Sequence, residues 1–347
     1  MKTIIGTVFA HGVVTPTTAT SAVLTSPLLS TVGIVLYERW QGSAANLNLW
    51  KCSFVSILFA GVVASTTHTV ALDLVCTRML VLSSFLGIVI GDLLWLQALK
   101  LLGARMTILQ STLQPLLAAL AGALFLHQPL ALSNGLAIGA VCGGLALAQT
   151  AKKPSDSDES AEDAEASSTL VHGTSSTDKT DQRPPRQLLL GSTLNLLNIG
   201  LDTMGSVLTR RYGQGLTTWQ INTVRFGSAA VMTLIGLCAV NLWSMLSRPH
   251  EPCPEWAALV PQQPAAVWVA CGVGALLVTF LATALSNYAL FGLPLGIWSA
   301  LSSMGPVWSI PVLYAVRKER TSARGVLGAA LAVSGAAVCS TAARHHP

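Results

Sequence analysis

ALKLLGARMTILQSTLQP, residues 98–115, returns 191 positions downstream as ALFGLPLGIWSALSSMGP, residues 289–306, with Ala98 on Ala289, Leu99 on Leu290, Ser111 on Ser302 and Pro115 on Pro306. An ordered match at one fixed shift is the mark of an internal repeat. A shift of 172 lays VGIVLYERW, residues 32–40, on MGSVLTRRY, residues 204–212, and a shift of 174 lays NLWK, 48–51, on NTVR, 222–225. The chain therefore reads as two versions of one module.

Both versions are made for lipid. Of 347 residues, 52% are hydrophobic and 10% charged, with a mean hydropathy of +0.59; an ordinary soluble domain carries about 25% charged residues. Eight of the fifteen acidic residues (Asp156, Asp158, Glu159, Glu162, Asp163, Glu165, Asp178 and Asp181) fall in 151–186, whose low apolar content and Ser-rich, acidic composition predict a disordered linker. The net charge of +5 comes from short basic clusters at the ends of apolar segments. That pattern suits anchoring in a bilayer, not binding to nucleic acid. The seven cysteines follow neither a disulfide framework nor a metal-ligand spacing. The start, MKTIIGTVFAHGVVTPTTATSA, has the outline of a secretory signal, but retention of residues 1–15 as an N-terminal segment is the reading preferred here.

Apolar stretches able to cross a ~30 Å hydrocarbon core lie at 45–66, 80–99, 104–126, 131–149, 187–209, 222–243, 265–290, 295–316 and 323–342. A tenth segment, 16–37, is rich in Ser and Thr and interrupted by Pro27, so hydropathy alone leaves it in doubt. The repeat resolves the doubt, because 16–37 falls where 187–209 lies in the second module. The expected fold is an all-α integral membrane protein of ten transmembrane helices, with modules at 16–150 and 187–342, the linker at 151–186 and a tail at 343–347. Five spans per module is an odd number, so the second module enters the bilayer upside down, as in many secondary transporters. The alternative is nine helices, with the first span absent.

IGDLLWLQALKLLGA, then STLQPLLAALAGALFLHQ and a Gly-rich helix, with LSNYALFGLPLG, SSMGPVWSIPVLYAVRKE and GVLGAALAVSGAAV in the second module, resemble the EamA-type branch of the drug/metabolite transporter superfamily. The resemblance implies a ten-helix bundle around a central cavity and no cofactor. One departure is Gln128, where the family usually carries Glu after its fourth helix; Glu319 fills the matching place in the second module.

Asp92 sits in an apolar run with no basic residue within seven positions. A lone carboxylate in a membrane helix costs roughly 2.5–3.5 kcal/mol on insertion scales, so it faces protein or water. It either bonds structurally to a neighbouring helix or lines the cavity as a proton or substrate group; Trp95 shares its side of the helix. Asn195, Asn198 and Asp202, spaced i, i+3, i+7, share one helical face, either for interhelical hydrogen bonds or to line the cavity. The resemblance favours the cavity, since the family's sixth helix borders it. Asn287, Tyr288 and Trp298 complete the cavity candidates. Lys51 and Arg225 read as snorkelling anchors or as partners of Asp92 or Asp202. Gly135, Gly139 and Gly143, Ala118 and Gly122, and Gly328 and Ala332 recur every four positions, as in helices that pack closely.

No catalytic or metal residue is expected, because the chain holds no His-x-x-x-His, Gly-x-Ser-x-Gly or phosphate loop. The span 295–316 carries Trp298, Ser299, Ser302 and Ser303 but no Lys or Arg, which disfavours a heavily phosphorylated substrate. The expected function is secondary transport of a small amino-acid-like, amine or amphipathic metabolite by alternating access, with proton coupling through Asp92 or Asp202. The rival classes are a membrane-embedded enzyme and a non-transporting receptor or scaffold. With both ends cytoplasmic, as the family pattern implies, Lys2, Arg78, Arg210, Arg211, Arg225 and Arg344 lie inside, and Arg39, Lys51, Lys100, Arg105, Arg248, Arg317, Lys318, Arg320 and Arg324 outside. The positive-inside rule points the other way, as the nine-helix alternative would.

Overall fold

Residues 16–37, the segment that hydropathy leaves in doubt, form a continuous helix, α1 (Pro16–Tyr37), in the computed structural model, which describes residues 14–37, 39–65, 70–102, 107, 110–129, 132–150, 184–247, 254–308 and 323–344. Thr15 and Thr18 start α1 by each bonding the other's backbone N–H, at 3.3 and 3.1 Å, with Pro16 at the first helical position, where its missing N–H is harmless. Four of the Ser and Thr side chains that lower its hydropathy donate back into the helix. Thr20, Ser21, Thr25 and Thr31 each bond the carbonyl four residues earlier, at 2.7–3.0 Å, so their hydroxyls reach the membrane already satisfied.

The first module continues with α2 (Ala44–Ser65) and α3 (Leu74–Ser84), the latter started by Asp73, whose carboxylate accepts from the Val75 N–H at 3.2 Å. A π-helical turn, Phe85–Gly91, leads into α4 (Asp92–Leu102); α5 (Gln114–Leu126) and α6 (Leu132–Thr150) follow. The second module holds α7 (Pro185–Tyr212), α8 (Thr218–Ser247), α9 (Ala265–Gly274), a second π-helical turn (Ala275–Ala282), α10 (Thr283–Gly292), α11 (Leu295–Ser302) and α12 (Ala323–Arg344). The two π turns fall at matching places of the repeat. Four stretches, Ala44–Ser65, Leu74–Trp95, Thr218–Ser247 and Ala265–Gly292, are long and apolar enough to cross a membrane by length and hydropathy. The third span starts at Leu74 and not at residue 80. Residues 1–13, the linker 151–183, the start of the predicted span 104–126, the end of 295–316, Glu319 and residues 345–347 lie outside the described residues.

The modules are interlocked. α6 packs on α12 and α2 on α8, while α1 lies against the second module's π turn and α10, and α7 against the first module's π turn, α4 and α5. The repeat's own glycines make this exchange possible. A Cβ on Gly33 of α1 would stand 3.2 Å from the Gly274 carbonyl, and one on Gly205 of α7 would stand 3.1 Å from the Ser83 carbonyl. Gly33 and Gly205 match at the shift of 172, and Ser83 and Gly274 at the shift of 191. One principal apolar core, containing Ala22, Phe59, Val141, Phe226, Leu285 and Ala336, spans both modules.

The α6–α12 seam is closer still. A Cβ on Gly144 would meet the Ala332 nitrogen at 2.4 Å, and one on Gly328 would meet the Ala148 nitrogen at 2.4 Å. Gly328 and Ala332 thus lie in the seam, but Gly135, Gly139 and Gly143 have no atom within 4 Å of a built Cβ. The expectation that these three mediate close packing is corrected: the helix turns the neighbouring Gly144 into the seam and presents the regular stripe outward.

Candidate functional site

The two copies of the repeated motif meet around a cavity of about 320 Å³. From the first module, α1 contributes Ser26, Pro27, Ser30 and Thr31, the approach to α5 contributes Ser111, Thr112 and Gln114, and α6 contributes Leu145. From the second, α11 and the residues after it contribute Trp298, Ser299, Ser302, Ser303, Gly305 and Pro306. Ser111 and Ser302, matched in the repeat, therefore face one space. The Ser302 hydroxyl is buried with no hydrogen-bond partner among the described residues. The Trp298 indole N–H donates to the Ser286 carbonyl at 2.9 Å, which fixes the ring at the cavity wall.

The cavity lies toward the end of α1 and the start of α5. At the opposite end of the bundle the modules are tied across the short α10–α11 turn. Thr18 shares a 3.1 Å hydrogen bond with the Tyr288 hydroxyl. Arg210, at the end of α7, donates to the Leu290 and Leu293 carbonyls, a cation at a helix C-terminus where the dipole favours one. Gln128 accepts from the Leu295 N–H at 2.8 Å and so caps the start of α11.

A second polar group surrounds the first module's π turn. Lys51 pairs with Asp92 at 3.1 Å, so the basic residue acts as partner and not as a headgroup anchor. Asn48 donates to the Ile88 carbonyl at 3.4 Å, and Ser84 to the Arg225 carbonyl at 2.6 Å. The missing side chain of Gly87 leaves room for two ions: a Cβ there would stand 3.5 Å from Asp202 Oδ1 and 3.8 Å from Arg225 Nη2. Arg225 is buried. The Asp202 carboxylate also accepts from Gln114 Nε2 at 2.6 Å, and Gln114 belongs to the cavity wall. That one amide joins the two polar regions.

Of the eight residues singled out in the sequence, Trp298 lies on the cavity wall. Asp202 stands one hydrogen bond behind it, through Gln114. Asn195 is fully buried and donates to the Thr107 carbonyl and to Gln110, at 3.1 and 3.0 Å. Asn198 faces the π turn, where its Oδ1 would be 3.2 Å from a Cβ on Gly91. Asp92 is held by Lys51, and Trp95 is exposed. Asn287 donates to Asn222, and Tyr288 meets Thr18. The serines and threonines of α1 and of the approach to α5 line the cavity without having been singled out; the one available signal was the matched pair Ser111 and Ser302. Among the described residues, no three His, Cys, Asp or Glu side chains cluster as a metal site requires.

A solved structure described as "Crystal structure of protein" superposes with a TM-score of 0.68 at 17% identity, covering 94% of this chain and 98% of its own. At that identity the likeness speaks for the fold alone, but it extends over both modules. No curated protein matches the chain. Residues 17–150 match the model of the EamA-like transporter family, a segment that begins within α1 and ends with α6. With its apolar helices and that match, the chain is a multi-pass integral membrane protein whose first module is similar to the EamA-like transporter family.

Proposed function

We propose that the protein is a secondary transporter that moves a small metabolite across the membrane by alternating access. In this reading ten helices form two inverted modules, 16–150 and 187–342, joined by the linker 151–186, and the substrate binds in the Ser-lined cavity between them. The observation that carries it is the meeting of both copies of the repeated motif at one cavity, with the modules tied together at the opposite end. Binding sites between inverted repeats, closed on one side at a time, are how such transporters work. Transport requires the Thr18–Tyr288 contact and the contacts about the α10–α11 turn to open when the cavity side closes.

Counterflow of labelled small metabolites into proteoliposomes tests the proposal, and saturable exchange is the expected result. A membrane-embedded enzyme would convert a metabolite without exchanging it, and a receptor or scaffold would bind without exchange. Protons are the proposed coupling ion, through Asp92 or Asp202, the two carboxylates beside the π turn. The double variant Asp92→Asn, Asp202→Asn should lose the pH dependence of exchange. If both transport and its pH response survive in that variant, proton coupling through these groups is wrong.

A further inference from the structure

The amide of Gln114 is placed where it decides what charge the cavity offers. Its nitrogen lies 2.6 Å from Asp202 Oδ2, and an ionised carboxylate only accepts hydrogen bonds. The NH₂ end is therefore turned to Asp202, and the amide oxygen of this cavity-lining residue takes no part in that bond. Around it stand hydroxyls contributed by α1, by the approach to α5 and by α11. Ser302, on the far wall, has a buried hydroxyl with no partner among the described residues, a group that a bound solute can satisfy. The indole of Trp298 is fixed by its bond to the Ser286 carbonyl and gives the wall a flat apolar face. Behind Gln114, Asp202 Oδ1 and Arg225 Nη2 both stand beside Gly87, 3.5 and 3.8 Å from a Cβ built there, so a carboxylate and a guanidinium of opposite charge share that region.

We infer that Gln114 is a specificity-determining residue: it screens the Asp202 carboxylate behind a neutral amide, so the cavity takes uncharged solutes rich in hydroxyl or N–H donors, of polyol or nucleoside type. The inference rests on the transport reading for the route of the solute, but not for its binding. A small solute of this kind supplies donors to the Gln114 oxygen and both donors and acceptors to the serines, while an aromatic base can lie on Trp298. A cationic amine would need a carboxylate, and the nearest is covered. Removing the cover uncovers it.

The test uses the full-length protein in proteoliposomes, with labelled xylitol and uridine as neutral probes, putrescine as the amine and lactate as the anion. Wild type should exchange at least one neutral probe about tenfold faster than putrescine or lactate. Gln114→Ala should raise the putrescine-to-neutral ratio about tenfold, and adding Asp202→Asn should return it to the wild-type value. Gln114→Glu, nearly isosteric, should shift the ratio the same way and serves if the alanine variant does not elute as a single species. The inference is overturned if wild type prefers putrescine or lactate, or if neither Gln114 variant moves the ratio. Should no probe exchange, tryptophan fluorescence titrations in detergent separate the two readings. Selective binding of a neutral probe would keep the specificity assignment and remove transport; no binding by any neutral probe would remove the assignment.

Discussion

Lys51 and Asp92 are 41 positions apart in the chain and 3.1 Å apart in the fold, and each makes the other tolerable in the membrane. Lys51→Met should leave an uncompensated carboxylate and cost roughly 2.5–3.5 kcal/mol, read as a lower melting temperature in detergent. Adding Asp92→Asn should recover much of the loss, because removing both charges removes the desolvation problem that removing one creates. Gln128 is a smaller case. Its acceptor bond to the Leu295 N–H is worth about 0.5–1.5 kcal/mol, so Gln128→Ala should destabilise by that order. Gln128→Glu should instead stabilise by about 0.3–1 kcal/mol, since a negative charge at a helix N-terminus meets the dipole favourably. Thermal unfolding of the purified variants checks both signs.

Among the elements, the seam of α6 and α12 leaves least room. Gly144→Ala puts a methyl group 2.4 Å from a backbone nitrogen and 2.6 Å from a carbonyl oxygen, and neither can rotate away. Overpacking of this kind costs about 1–3 kcal/mol, whereas Gly139→Ala, on the open face of α6, should be neutral or slightly stabilising through helix propensity. The paired melting temperatures test the corrected orientation of the helix. The π turns at Phe85–Gly91 and Ala275–Ala282 are a second feature of the elements. Each interrupts the normal carbonyl ladder, and side chains from other helices bond its carbonyls: Asn48 at Ile88 and Ser26 at Ala282. Such turns recur at functional sites, and here they bring α1 and α7 beside the polar groups.

At the scale of the molecule, the exchange of α1 and α7 between modules means that neither module keeps its apolar faces covered alone. A protease site placed in the linker 151–186 and cut after purification should leave two fragments that co-elute as a one-to-one complex in mild detergent. Separation of the fragments would show that the interlocking contacts do not hold the halves together. The basic residues also have to be recounted at this scale. Lys51 is paired with Asp92, Arg210 bonds helix carbonyls and Arg225 is buried in the bundle, so they do not act as loop charges and carry no vote on sidedness.

The sequence by itself determined that this is a helical membrane protein and that it is built twice: hydropathy and a fixed shift are properties of the chain as written, independent of how helices rotate. The shift also identified the first helix, which its hydroxyls disguise, and paired Ser111 with Ser302 before either had a neighbour in space. What only the tertiary structure decided is which way each helix faces. It gave Asp92 to Lys51, turned Gly144 into a seam in place of its more regular neighbours, and let Gln114 reach both Asp202 and the cavity. Contacts of this kind join residues far apart in the chain; Thr18 and Tyr288, for example, are 270 positions apart. Helical periodicity groups residues on a face, but the partner of that face is set by packing between segments that the local pattern does not relate.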